Sequence, residues 1–215
     1  FIEHLGRSIY GGIWAEMLED RKFYSAVGET RRDREHVPSP WQAVGDAGAV
    51  TMATAGAFVG EHTPQVDLST GGEPRGIAQP GLGVVAGRDY VGYVFLAGDA
   101  SAAPVDVIVI WGSGPNDRQV VTIDTLTPAF EKHALAFRAG AASDDARFQI
   151  VGRGRGTFRV GTASLMPADN INGMRRDTLD LLKQLDAPIY RWPGGNFVSG
   201  YDWKDGIGDR DKRPP

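Results

Sequence analysis

The chain has 215 residues, 41% of them hydrophobic and 23% charged, and a formal net charge of -4. That length holds one large domain or two small ones, and the mild acidity gives no basic footprint for nucleic acid. Cysteine is absent, which excludes disulfides, thiolate metal sites and a cysteine nucleophile. No run of about 18 apolar residues, the length needed to span a membrane, occurs anywhere.

The chain opens at Phe1, inside a patterned segment and without an initiator Met, and closes at Pro214-Pro215 in loop-like composition. It therefore reads as a piece of a longer protein trimmed at both ends. It shows no signal peptide, and its compartment stays open. Residues Phe1-Ile2-Glu3-His4 read as the end of a strand whose polar members emerge at its C-terminal edge. The glycine-rich Gly6-Arg7-Ser8-Ile9-Tyr10-Gly11-Gly12 and a short apolar helix over Ile13 to Leu18 follow. His4 has no other histidine at metal-ligand spacing, so no metal site is expected here.

From Glu29 to His36 the sequence is charged and unpatterned, and Val37-Pro38-Ser39-Pro40 follows it. Mixed charge beside prolines predicts a solvated linker. From Trp41 to about Met166 the period changes to two. Val105, Val107, Val109 and Trp111 alternate with their neighbours, and further strand runs appear at 120–123, 135–137, 148–150 and 158–160. Turn signals separate them, Gly112 to Asp117 and Ser143-Asp144-Asp145 among them. Short strands spaced by such turns predict an antiparallel β-sandwich of jelly-roll type. Gly152-Arg153-Gly154-Arg155-Gly156 lacks the ending of a phosphate loop and reads as a hairpin turn. Trp41, Tyr90, Tyr93 and Trp111 are the aromatics available for stacking on a sugar, and their alternation with aliphatics favours the core.

After Met166 the pattern becomes helical. Asn170 or Asn172 is the expected cap of a helix on which Met174, Leu181, Leu182 and Leu185 share a face, and Ala187-Pro188 stops it. Ile189-Tyr190-Arg191-Trp192 then reads as a short buried strand. It passes into Pro193-Gly194-Gly195-Asn196-Phe197-Val198-Ser199-Gly200-Tyr201-Asp202-Trp203, where glycines, an amide, hydroxyls and aromatics crowd together as in a small-molecule pocket. Helix, turn, strand and polar loop make one step of an alternating α/β barrel.

Two of these stretches, Glu3-His4-Leu5-Gly6-Arg7 leading to Tyr10-Gly11-Gly12-Ile13, and Ile189 to Trp203, resemble the first two barrel strands and following loops of glycoside hydrolase family 51, the α-L-arabinofuranosidases. Residues 164–170 and 209–215 are also similar to that family. The run Gly87 to Tyr93, with Gly76 to Gln79 before it, resembles carbohydrate-binding modules inserted in some members.

The resemblance implies an α+β fragment, a jelly-roll sandwich inserted after the first strand of an incomplete (β/α)8 TIM barrel. Residues 1–28 would form the first strand, loop and short helix, 29–40 a linker, 41–166 the sandwich, and 167–215 the barrel helix, second strand and sugar-pocket loop. It further implies the N-terminal part of a retaining enzyme that removes terminal α-L-arabinofuranosyl groups from arabinoxylan or arabinan, needing no cofactor and no metal. Glu3 and Asn196 would hydrogen-bond the terminal sugar, and Arg191 would lie beneath it and keep the nucleophile ionised. Gly194, Gly195, Trp192, Tyr201 and Trp203 would support the pocket. The two glutamates of the family lie on later barrel strands, one in an Asn-Glu-Pro context that this chain lacks, so no catalytic residue is expected within it. The expected partners are an arabinose-containing saccharide and the rest of the barrel. A homo-oligomer is compatible with the resemblance, since trimers and hexamers are common in the family. The alternative is a non-catalytic carbohydrate-binding module.

Overall fold

The computed structural model of the chain describes residues 2–33 and 37–214. Three residues of the expected linker, Arg34, Glu35 and His36, and the terminal Phe1 and Pro215 lie outside the described residues.

Two five-stranded sheets form the body of the molecule. The first contains, in spatial order, β1 (Gln42–Val44), β4 (Arg75–Val84), β9 (Ser143–Gly152), β6 (Val105–Ile110) and β7 (Arg118–Ile123). The second contains β2 (Val50–Ala53), β3 (Thr63–Asp67), β10 (Thr157–Pro167), β5 (Asp89–Gly98) and β8 (Glu131–Arg138). Every pairing within these sheets is antiparallel. The period-two pattern explains how they close. Ile77 of β4, Val105, Val107 and Val109 of β6, and Phe148 and Ile150 of β9 join one buried cluster with Val94 and Leu96 of β5, Leu135 and Phe137 of β8, and Phe158 and Val160 of β10. Alternate residues are exposed in β8, as a sheet with one face on a core requires, whereas β6 and most of β10 are buried on both faces.

The predicted sandwich is therefore present, with local differences. Ser143 to Asp145 form the first residues of β9 instead of a turn, because Ser143 pairs with Val84 of β4. The glycine-rich Arg153 to Gly156 is not a hairpin. It carries the chain from β9 in one sheet to β10 in the other, and Gly156 takes φ +100° to make the corner. Gly112 to Asp117 does join neighbouring strands, β6 and β7, with the Gly114 N–H donating to the Asp117 carboxylate at 2.8 Å.

The N-terminal arm is extended where a short helix was expected over residues 13–18. Its backbone groups find partners elsewhere, which removes the need for helical ones. Met17 N–H donates to the Leu165 carbonyl at 2.9 Å, and Arg21 O accepts from Ala163 N–H at 3.1 Å. The arm thus covers the edge of β10 beyond its short pairing with β3. Earlier along the arm, Ala15 N–H bonds Gly173 O and Arg175 N–H bonds Ile13 O, both at 2.8 Å. Leu18 and Phe23, which precede the expected linker, lie in the sandwich core, where Phe23 packs 5.1 Å from Trp41.

After β10 comes α1 (Arg176–Gln184). Neither predicted asparagine caps it. Asn170 instead accepts from Gly173 N–H at 2.9 Å and donates to Pro167 O at 2.7 Å, and Asn172 sits at φ +53°, so both shape the preceding turn while Arg175 occupies the cap. The apolar stripe is visible but uncovered, with Leu181 62% and Leu185 70% exposed. Ile189 to Trp192 do not form the buried strand read from the sequence; Ile189 is 82% exposed, and the nearby parallel bridge joins Glu3 to Gly194. Among the described residues, no helix is long and apolar enough to cross a membrane.

Candidate functional site

The two ends of the chain meet side by side. Ile2 N–H donates to Arg191 O at 2.9 Å, Gly194 N–H donates to Ile2 O at 2.8 Å, and Glu3 and Gly194 form a parallel bridge. Parallel pairing of segments this far apart in sequence needs a crossover, here the whole sandwich and α1. The Glu3 carboxylate reaches over Gly195, where an added Cβ would stand 2.7 Å from Glu3 Oε2. Gly195 also holds φ +69°, so this corner favours glycine on two counts.

Asn196 follows directly and opens the four-residue α2 (Phe197–Gly200), with its carbonyl accepting from Ser199 N–H at 3.1 Å. Phe197 stacks on the His4 ring at 3.8 Å and on the Tyr201 ring at 5.0 Å, so aromatic rings from both chain ends form one column. His4 Nδ1 is buried without a hydrogen-bond partner. Trp192 (44%), Tyr201 (40%) and Trp203 (66%) keep much of their surface exposed, and Trp203 starts a 3-10 turn whose N-terminus Asp202 caps. Of the residues singled out from the sequence, Glu3, Gly194 and Gly195 are therefore in direct contact. Arg191 and Asn196 flank them on the same loop. The His4–Phe197 stack was not foreseen; the sequence offered only an unpaired histidine and one aromatic among several.

A second polar cluster lies between the sandwich and the C-terminal segment. Asp211 is buried, and its carboxylate accepts from Arg21 at 2.7 Å and from the Tyr93 hydroxyl at 2.5 Å, with Lys132 Nζ at 3.4 Å. Burial opposes the charge on Asp211, but the Tyr93 and Arg21 hydrogen bonds prevail and hold its carboxyl below the usual value. Arg21 also lies 3.7 Å from Glu16, whose carboxylate accepts from Ser164 and from Leu165 N–H; burial pushes the Glu16 carboxyl up. Next to Arg21, Lys22 donates to Arg210 O and Arg213 O, and burial together with neighbouring Arg21 lowers its ammonium to about 8.

Tyr93 of this cluster is one of the four sandwich aromatics that could have stacked on a sugar. Lys132 Nζ stands 3.6 Å over the Tyr93 ring, Trp41 and Tyr90 are buried, and Trp111 is half-buried with Gly140 close beneath its indole. None of the four presents a free, fully exposed face. Among the described residues no group of three His, Asp or Glu side chains is placed to hold a metal ion.

No protein-family model matches the chain. It is 25% identical over 100% of its length to "Alpha-L-arabinofuranosidase 1" of Arabidopsis thaliana, covering 34% of that protein. A 48-residue stretch, 22% of the chain, is 54% identical to the "Exo-alpha-(1->6)-L-arabinofuranosidase" of Bifidobacterium longum and covers 9% of it. The chain thus spans about a third of the plant relative and a smaller part of the bacterial one. In fold it is similar to the CBM22-1 xylan-binding domain of Paenibacillus barcinonensis Xyn10C, with TM-score 0.51 and 13% identity, covering 74% of this chain and 98% of that one. A similar likeness, TM-score 0.51 at 12% identity over 71% of this chain and 21% of the other, links it to the enzymatically active domain of tailspike protein 4 of bacteriophage CBA120. In sequence the chain is similar to proteins named α-L-arabinofuranosidases, and most of its length folds as a sandwich like that xylan-binding domain.

Proposed function

We propose that the chain is the N-terminal part of a retaining α-L-arabinofuranosidase and supplies the sugar-holding side of its active site. The observation that carries this reading is the hydrogen-bonded meeting of residues 2–4 with 191–195, which sets the Glu3 carboxylate over Gly195 and beside the Asn196 turn. Here Glu3 accepts from, and Asn196 donates to, hydroxyls of a terminal arabinofuranosyl group. Arg191 supplies a positive charge that keeps the nucleophilic carboxylate ionised. Trp192, Tyr201 and Trp203 wall the pocket. A retaining mechanism needs two carboxyl groups about 5 Å apart, one nucleophile and one acid/base. Both come from parts of the enzyme outside these 215 residues, in keeping with a plant relative of which the chain covers 34%. On this reading residues 1–28 and 167–215 belong to the barrel, 29–40 is a linker and 41–166 is an inserted module. The exposed Leu181, Leu185 and Ile189 then meet the rest of the barrel.

In the full-length protein, Glu3→Gln and Asn196→Ala should each lower kcat/KM on an aryl α-L-arabinofuranoside by about tenfold to a hundredfold. The 215-residue chain alone should hydrolyse none. Hydrolysis by these residues alone would overturn the placement of the catalytic pair.

A non-catalytic carbohydrate-binding module is the second reading, favoured by the sandwich's likeness in fold to a xylan-binding domain. It requires the chain to be retained on arabinoxylan and to lose retention on Trp111→Ala, with no arabinofuranosidase activity in the full-length protein.

A further inference from the structure

A cleft of about 680 Å³ opens where the N-terminal loop, the bulged end of β4 and the approach to α1 meet. Glu3, Gly195 and Asn196 do not line it, so it is separate from the site above. Its volume lies in the range that holds small organic ligands. Its walls carry six basic side chains and four carboxylates, in a chain whose net charge is -4.

The surplus is concentrated at one end. Arg88 lies 3.0 Å from Asp169, Arg176 lies 4.0 Å from the same carboxylate, and Arg175 is paired with Asp177 at 2.5 Å. Three guanidiniums therefore face two carboxylates, and one positive charge is left over beside Asp169. Tyr10, 67% exposed, adds an aromatic ring to the wall. Gly83 leaves part of the wall bare, since a Cβ there would meet nothing within 4 Å.

We propose that this cleft binds an acidic saccharide, one bearing a uronate carboxylate. The carboxylate pairs with the guanidinium forks of Arg88 and Arg176, whose planar geometry matches it, and the sugar ring lies against Tyr10. The inference rests on the carbohydrate reading above and adds a second location and a charge preference to it.

The test is titration calorimetry of the full-length protein with a glucuronic-acid-substituted oligosaccharide and with the same oligosaccharide after reduction of its carboxyl to an alcohol. At low salt the acidic form should bind about tenfold more tightly than the reduced form. Arg88→Gln and Arg176→Gln should each shrink that preference, and Gly83→Phe, which fills the cleft, should weaken both forms. Equal affinity for the two forms, or a preference that survives both glutamine variants, overturns the proposal. If neither form binds while an arabinose-terminated oligosaccharide still binds in an Asn196-dependent way, the cleft proposal fails and the arabinofuranosidase reading stands. If nothing binds, both fail.

Discussion

Asp211 shows how one side chain can fasten a segment. It accepts hydrogen bonds from Arg21 of the arm and Tyr93 of β5, and it belongs to the C-terminal turn at 210–212. Asp211→Asn removes the charge that Arg21 and Lys132 share, and should cost about 2 kcal/mol in urea denaturation. Because the Asp211 carboxyl titrates below 3.8 when folded, the unfolded chain binds more protons through that window. Its stabilising contribution is complete above that pH and is lost as pH falls through the folded value. Glu16 works in the opposite sense: its raised carboxyl favours the folded state below 4.5, and that contribution is lost as pH rises through the folded value. A pH titration of stability for wild type minus Asp211→Asn isolates the first effect, and the difference should shrink toward zero in acid.

Among the elements, the N-terminal arm contributes most that the sequence concealed. Phe23 is 1% exposed in the sandwich core, so Phe23→Ala should destabilise the sandwich by about 3–5 kcal/mol although it lies outside every strand. Thermal or denaturant unfolding followed by near-UV circular dichroism checks this; a loss below about 1 kcal/mol would mean that the arm is dispensable. The strands themselves were legible, because alternation in runs such as Ala134 to Arg138, where Leu135 and Phe137 are buried between exposed neighbours, states directly which face is buried. The arm was not, since its conformation is set by hydrogen bonds to Leu165 and Ala163, about 150 positions away. The candidate site was legible in composition and in the meeting of its two ends. The uncovered state of Ile189 to Trp192 was not, because an apolar run reports what a segment prefers to contact and not whether the contact is present. The Asp211 cluster was hidden for a related reason: Arg21, Tyr93, Lys132 and Asp211 come from four separate stretches that no local pattern links.

At the scale of the molecule, packing is unequal. The sandwich buries its core thoroughly, whereas residues 181–207 expose Leu181, Leu185, Ile189, Val198, Trp203 and Ile207. Such a concentration of apolar surface is a contact surface or an aggregation hazard. The 215-residue chain made alone should therefore bind a hydrophobic dye and self-associate. Its amides should exchange slowly in β9 and β10 and quickly from 177 to 207. A monodisperse product with uniform protection would contradict this.

The strand orders also govern the timing of folding. The middle strand of each sheet is β9 in one and β10 in the other, and these are the last two strands in the chain. Both sheets therefore wait for residues 143–167. Before those residues leave the ribosome, no strand pairing joins β1 and β4 to β6 and β7, or β2 and β3 to β5 and β8. A nascent chain would carry four separate strand pairs at most, each marginal alone, and both halves of the core would close in one late step.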